Sequence, residues 1–185
     1  MSEDSPALEG PPAPRQPFGP YRICLVCLGN ICRSPMAEVI LREELERAGL
    51  AGRAEVESAG TGDWHLGEPM DRRARAELSA RGYDGSRHRA RQFGEDWFGR
   101  FDLIAAMDSR NLRYLRAAAP GGEAERLRMF RAFDPALARR AGDLDVPDPY
   151  GGTVEEYALA FDLIRPAARG LADQLDKLLA GQQGR

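Results

Sequence analysis

The run Tyr21-Arg22-Ile23-Cys24-Leu25-Val26-Cys27 is apolar and β-branched, and it stops at Leu28-Gly29-Asn30-Ile31-Cys32-Arg33-Ser34-Pro35. The run reads as a buried strand. Behind it Ser34 can cap, and Pro35 open, a helix carrying Met36, Ala37, Val39, Ile40, Leu41, Leu45 and Leu50. A strand–loop–helix junction of this kind points successive backbone N–H groups into one concavity. The helix N-terminus adds about half an elementary charge to it, so the concavity suits a phosphate or another oxyanion. Cys27 sits inside it, and Arg33, six positions on, offers a planar fork that matches two oxygens of one phosphate. Such positive surroundings favour the thiolate form of a cysteine. A thiolate in an anion cradle is the chemistry of phosphoryl transfer through a cysteinyl phosphate.

The chain has 185 residues, enough for one core, and a formal net charge of −3. No basic field argues for nucleic acid, since the cations (all arginine except Lys177) are balanced by carboxylates. No apolar run is long enough to span a membrane, and the acidic, proline-rich start does not read as a secretory signal. The three cysteines argue against a disulfide framework, and Cys24 and Cys27 point to opposite faces of a strand, so that pair cannot easily close. The composition therefore predicts a soluble cytoplasmic domain.

Residues 1–20 hold six prolines and two glycines and few large apolar groups, which predicts a disordered arm ahead of one domain over 21–182. Strands are expected at 21–27, 55–60, 101–107 and 127–130. Helices are expected at 34–48, from Asp71 to about Arg81, from Asp108 or Ser109 through Ala118, and from Thr153 onward with a possible kink at Arg165-Pro166. A loop with Trp64 and His65 follows the second strand, and a long loop rich in Asp, Gly and Pro covers 131–152. Strands alternating with helices predict an α/β three-layer sandwich around a four-stranded parallel sheet, flavodoxin-like, with the site beyond the strand C-terminal ends.

A thiolate that displaces an alcohol from phosphorus needs a proton donor for the leaving group. The long loop offers Asp134, Asp143, Asp145 and Asp148. Asp148-Pro149-Tyr150 stands out because proline fixes the backbone beside the acid and an aromatic follows.

Cys-x5-Arg alone is a weak signal in an arginine-rich chain. The full string Cys-Leu-Gly-Asn-Ile-Cys-Arg-Ser-Pro after an apolar strand, with Asp-Pro-Tyr downstream, resembles the low-molecular-weight protein tyrosine phosphatases of the bacterial type over residues 21–180. The resemblance implies a hydrolase in which Cys27 is the nucleophile, Arg33 the phosphate clamp and Asp148 the general acid and base. It implies a substrate pocket from Leu28, Gly29, Asn30, Ile31, Cys32, Ser34, Trp64 and Tyr150. Ser58 and His88 fit the family positions that tie Asn30 in place, and Asn30 is expected in a left-handed conformation. Asp108 matches a family position read as an ion-pair or capping group. Cys32 is the family's candidate for a protective disulfide with Cys27.

No cofactor or metal is implied. The partners implied are phosphotyrosine-bearing proteins, with phosphate and vanadate as inhibitors and a monomer or weak dimer as the assembly. One departure is visible: many relatives carry a second aromatic where Gly151 follows Tyr150. Four other readings compete. An arsenate reductase coupled to thioredoxin needs cysteines after Cys32, and there are none. A protein-arginine phosphatase of the family tends to carry threonine where Ile31 stands. A non-catalytic phosphotyrosine-binding module fits poorly with Cys27, Arg33 and Asp148 together. A zinc site built on the cysteines with His65 or His88 lacks paired ligand spacing.

Overall fold

The computed structural model describes residues 9–137 and 143–181. Strand β1 (Tyr21–Cys27) is the centre of it. Ile23, Leu25 and Cys27 project to one side, Cys24 and Val26 to the other, and all five are buried. A strand with no solvent face needs cover on both sides, which parallel neighbours joined by helical crossovers supply. β2 (Ala54–Gly60) and β3 (Leu103–Ala106) flank β1 in parallel, and β4 (Leu127–Met129) pairs with β3, so the order is β2-β1-β3-β4. Helices α1 (Arg33–Arg47), α2 (Arg72–Ala80) and α4 (Val154–Ala180) cover the Ile23 face. Helix α3 (Ser109–Ala118) and a 3-10 turn over Glu95–Arg100 cover the Cys24 face. This is the expected three-layer α/β sandwich, with Cys24 and Cys27 in separate layers of core. The chain leaves β1 for β2 on one side and returns to β3 on the other, so a crevice opens at the strand C-terminal ends beside Cys27.

The helix starts show how far local rules reach. Asp71 accepts Arg73 N at 2.8 Å, Asp108 accepts Asn111 N at 2.7 Å, and Thr153 with Glu156 forms a capping box. Ser34 does not cap. Helix α1 begins one residue earlier, with Cys32 at the capping position and no side-chain acceptor for its first turn. The Ser34 hydroxyl is turned instead to the Cys27 sulfur. An uncapped helix start keeps its N–H groups available for a ligand. α4 runs as one helix through Pro166, so the chain does not break there.

The described part of the N-terminal arm makes specific contacts with the domain. Residues 9–20 lie against the body: Arg15 N donates to Asp102 Oδ1 at 2.6 Å, and the Arg15 guanidinium donates to Phe101 O and Phe98 O and pairs with Glu123. Tyr21 Oη donates to Pro12 O at 2.8 Å, and Arg126 and Arg128 donate to Ala13 O and Gly10 O. Composition argues disorder from missing apolar burial, whereas this arm is held by cations on carbonyls. Its prolines also narrow the unfolded ensemble, which lowers the cost of ordering it. Residues 1–8 lie outside the described residues, as do 138–142 of the long loop.

Candidate active site

The loop from Cys27 to Arg33 wraps a cavity of about 410 Å³ lined by Cys27, Leu28, Gly29, Asn30, Ile31, Cys32, Arg33, Trp64, His65, Asp148 and Tyr150. Cys27 Sγ lies 2.9 Å from Ser34 Oγ and accepts Asn30 N–H at 3.3 Å. Every predicted pocket residue therefore faces the cavity except Ser34, which is buried behind the sulfur.

Asn30 is the pin of the loop. Its φ of 55° makes it the one non-glycine residue with left-handed backbone among the described residues. Its Nδ2 donates to Ser34 Oγ and Ser58 Oγ, both at 2.9 Å, and its Oδ1 accepts Arg91 N at 2.8 Å. Ser58 Oγ in turn donates to Glu38 Oε2 at 2.6 Å. His88 Nε2 lies 2.6 Å from Asn30 O, so this nitrogen carries the proton and donates.

Burial holds His88 below the ordinary histidine value of 6.5, although the bond to Asn30 O and the charge of Glu38 oppose that shift. The unfolded chain then binds more protons than the folded one just below that value. Stability should be full above pH 6.5 and decline as pH falls toward the lower folded value. Thermal midpoints across this range should show the decline in the native protein and not in His88→Gln, which keeps an N–H donor. A decline that survives in His88→Gln would assign it to other groups.

Arg33 is buried, and its Nη1 donates to Asp108 Oδ2 at 2.6 Å and Val146 O at 3.0 Å. Its Nη2 lies 3.4 Å from Asp148 Oδ2. Burial alone would pull its pKa down. The charges of Cys27, Asp108 and Asp148 and the Asp108 hydrogen bond outweigh that, the net shift is upward, and the guanidinium stays charged. Asp108 thus caps α3 with one oxygen and aims Arg33 with the other.

The loop carboxylates sort by contact. Asp145 accepts Ser109 N at 2.7 Å, Asp143 accepts Asp145 N at 2.9 Å, and Asp134 accepts Ala136 N at 2.9 Å. All three brace backbone, and only Asp148 lines the cavity. Tyr150 N donates to Asp148 Oδ1 at 3.2 Å, and Gly151 turns the chain with φ of 74°. That backbone strains any larger residue, so a second aromatic would not sit here in the same turn.

Sequence reasoning left out two groups of the site. His65 packs against Tyr150 with ring centroids 5.7 Å apart, and its Nδ1 lies 2.8 Å from Glu68 Oε2. A Cβ at Gly29 would come within 3.1 Å of the His65 ring. Its place beside Trp64 in the loop was the available signal. The Val146 carbonyl left no signal, because a backbone acceptor shows in no side-chain pattern.

Cys32 differs from Cys27 in its environment. Burial pushes its thiol up to about 12 against a hydrogen bond with Tyr157 Oη at 3.7 Å, so it stays protonated. All three cysteines are free.

Gly60 carries the loop from beneath. A Cβ there would lie 2.7 Å from Leu28 O and 3.2 Å from Asn30 N, both backbone atoms. Gly60→Ala should therefore lower kcat/KM about a hundredfold by displacing the cradle. Unchanged kcat/KM would show that the loop can shift without loss.

A cysteine sulfur at the end of a parallel strand, held by the Asn30 amide and the Ser34 hydroxyl in one cavity with a buried arginine, fits the cysteine-dependent phosphatase class of site. Comparison with known proteins narrows the class. Residues 22–180 match the family described as low molecular weight phosphotyrosine protein phosphatase. The low molecular weight protein-tyrosine-phosphatase of Streptomyces coelicolor is 47% identical over 163 residues, covering 88% of this chain and 98% of that protein. Low molecular weight protein-tyrosine phosphatase A of Mycobacterium tuberculosis is 44% identical over 161 residues, covering 87% and 95%. The crystal structure of a protein tyrosine phosphatase from Entamoeba histolytica superposes with a TM-score of 0.79 at 30% identity, covering 85% of this chain and 97% of that one. The chain belongs to the low molecular weight phosphotyrosine protein phosphatase family, whose members are hydrolases.

Proposed function

We propose that this chain hydrolyses phosphotyrosine in proteins by two displacements at Cys27. The thiolate attacks phosphorus, the S–P bond forms, and the P–O bond to the phenol breaks as Asp148 delivers a proton to the departing oxygen. Water then attacks the cysteinyl phosphate, Asp148 takes its proton, and the S–P bond breaks to release phosphate. The loop N–H groups and Arg33 hold the equatorial oxygens throughout. Ser34, at 2.9 Å, donates to the sulfur and helps it leave in the second step.

The observation that carries the reading is the placement of Asp148 and Arg33 around one cavity with Cys27 at its base and Trp64, His65 and Tyr150 as its walls. Aromatic walls suit a phenyl ester, and on this reading a phosphoserine is too short to bring its phosphorus to the sulfur. Every group that the scheme uses comes from one chain. Three free cysteines support a reducing compartment such as the cytoplasm as the site of this work.

Peptides bearing phosphotyrosine, phosphoserine or phosphoarginine, assayed side by side with reductant and without added metal, test it. Turnover of phosphotyrosine alone is expected, with phosphate and vanadate competing. A preference for phosphoarginine would show that Ile31 does not select the aromatic ester. No turnover with phosphate binding retained would make the chain a binding module.

A further inference from the structure

The catalytic cavity does not end at its aromatic wall. Ile31, His65 and Tyr150 also line a second, larger hollow of about 680 Å³, whose far side includes Met70, Arg72, Arg75 and Ser79. A peptide that places its phosphotyrosine over Cys27 and leaves across this wall enters the hollow within a few residues, at about 3.3 Å per extended residue.

The charges lining the hollow are unequal in what they already do. Glu68 is held by His65 Nδ1, and Asp71 caps α2. Arg73, on the same turn, donates to Gly152 O at 2.7 Å and so anchors the segment that carries Tyr150. Among the described residues the guanidinium groups of Arg72 and Arg75 make no hydrogen bond or ion pair, and Arg75 reaches Asp84 only through the longer-range field. Both side chains are exposed. Cations near the start of a helix oppose its dipole, and no acidic residue follows in that turn to offset them. Nothing local accounts for the pair, while the buried Met70 and the shared wall give a peptide chain apolar surface to lie on.

We propose that this hollow seats the substrate chain beside the phosphotyrosine, and that Arg72 and Arg75 select an acidic side chain in it. The proposal rests on the phosphotyrosine reading of the catalytic cavity. The whole chain carries a formal charge of −3, so a preference for acidic peptides has to come from this local pair and not from the overall field.

The test is a set of phosphotyrosine peptides with one Glu placed at each position within about four residues on either side, and Gln in the same places as controls. In the native enzyme Glu at one or two positions should lower KM about three- to tenfold against Gln, by an amount that shrinks as salt rises. The double variant Arg72→Gln, Arg75→Gln should erase that difference and leave turnover of a small aryl phosphate, which has no flanking chain, unchanged. The variant Arg72→Glu, Arg75→Glu should move the preference to peptides carrying Lys. A KM flat across the set in the native enzyme, or a Glu preference that persists in both variants, overturns the proposal and leaves the phosphotyrosine reading standing. Failure of the native enzyme to hydrolyse any phosphotyrosine peptide or aryl phosphate overturns both.

Discussion

Replacing Cys27 by serine should remove turnover, by a factor on the order of 10⁶, the scale seen when a catalytic nucleophile is lost. A hydroxyl stays protonated where a thiol can ionise, so the serine has no comparable nucleophile to offer. The surroundings should survive, because Asn30 is pinned by Ser34, Ser58, Arg91 and His88 and not by the sulfur alone. Arg33 is likewise held by Asp108 and Val146. Phosphate should therefore bind Cys27→Ser at least as well as the native enzyme, since a negative sulfur no longer faces a dianion. Vanadate, which gains from a bond to the thiolate, should bind more weakly. Titration calorimetry with phosphate separates the outcomes. Loss of phosphate binding along with activity would mean that the sulfur organises the cradle, and the pinning role given to Asn30 would fall.

What could be read in the sequence, and what could not, follows the distance over which each cause acts. The run from Tyr21 to Pro35 announces its strand, loop and helix because its signals are neighbours: an apolar run, a glycine, a proline. Asp71, Asp108 and Thr153 cap helices as local rules require. Ser34 breaks the rule because the sulfur competes for its hydroxyl, and the uncapped first turn that results is the feature an anion needs. A cap preference that fails at a site is thus informative about the site.

Contacts between distant segments stay hidden. The sequence offers Asp108 as an ion-pair or capping group but does not say that its partner is Arg33, 75 residues away, or that Val146 supplies a carbonyl to the same guanidinium. The contacts of the arm stay hidden for a related reason. Its proline content speaks to weak burial and says nothing of Arg15, Arg126 and Arg128, which reach carbonyls and a carboxylate across the fold. Of the four aspartates in the long loop, the local Asp-Pro-Tyr string already set Asp148 apart, and the partners give the separation its physical content: Asp134, Asp143 and Asp145 brace backbone, and Asp148 faces the cavity.

That separation makes Asp148→Ala the sharper test of mechanism. A tyrosine leaving group has a pKa near about 10, so its expulsion as a phenolate is slow without a proton. General acid catalysis contributes about 10²–10⁴, and that is the expected loss in the rate of the first displacement on phosphotyrosine. A dinitrophenyl phosphate expels a far weaker base and needs no proton, so its first displacement should slow less than about tenfold. The comparison has to be made on the initial burst of released phenol, because Asp148 also serves the water step and its loss can limit steady-state turnover of both esters. The variant should not disturb Arg33. Asp148 lies 3.4 Å from one guanidinium nitrogen, while Asp108 at 2.6 Å and Val146 O at 3.0 Å hold the other. Asp148→Asn, which keeps the shape and the acceptor for Tyr150 N, should behave as Asp148→Ala does if proton transfer is the role. Equal slowing of the two esters in the burst would show that Asp148 acts through Arg33 or the loop, and the proton donor would have to be sought elsewhere.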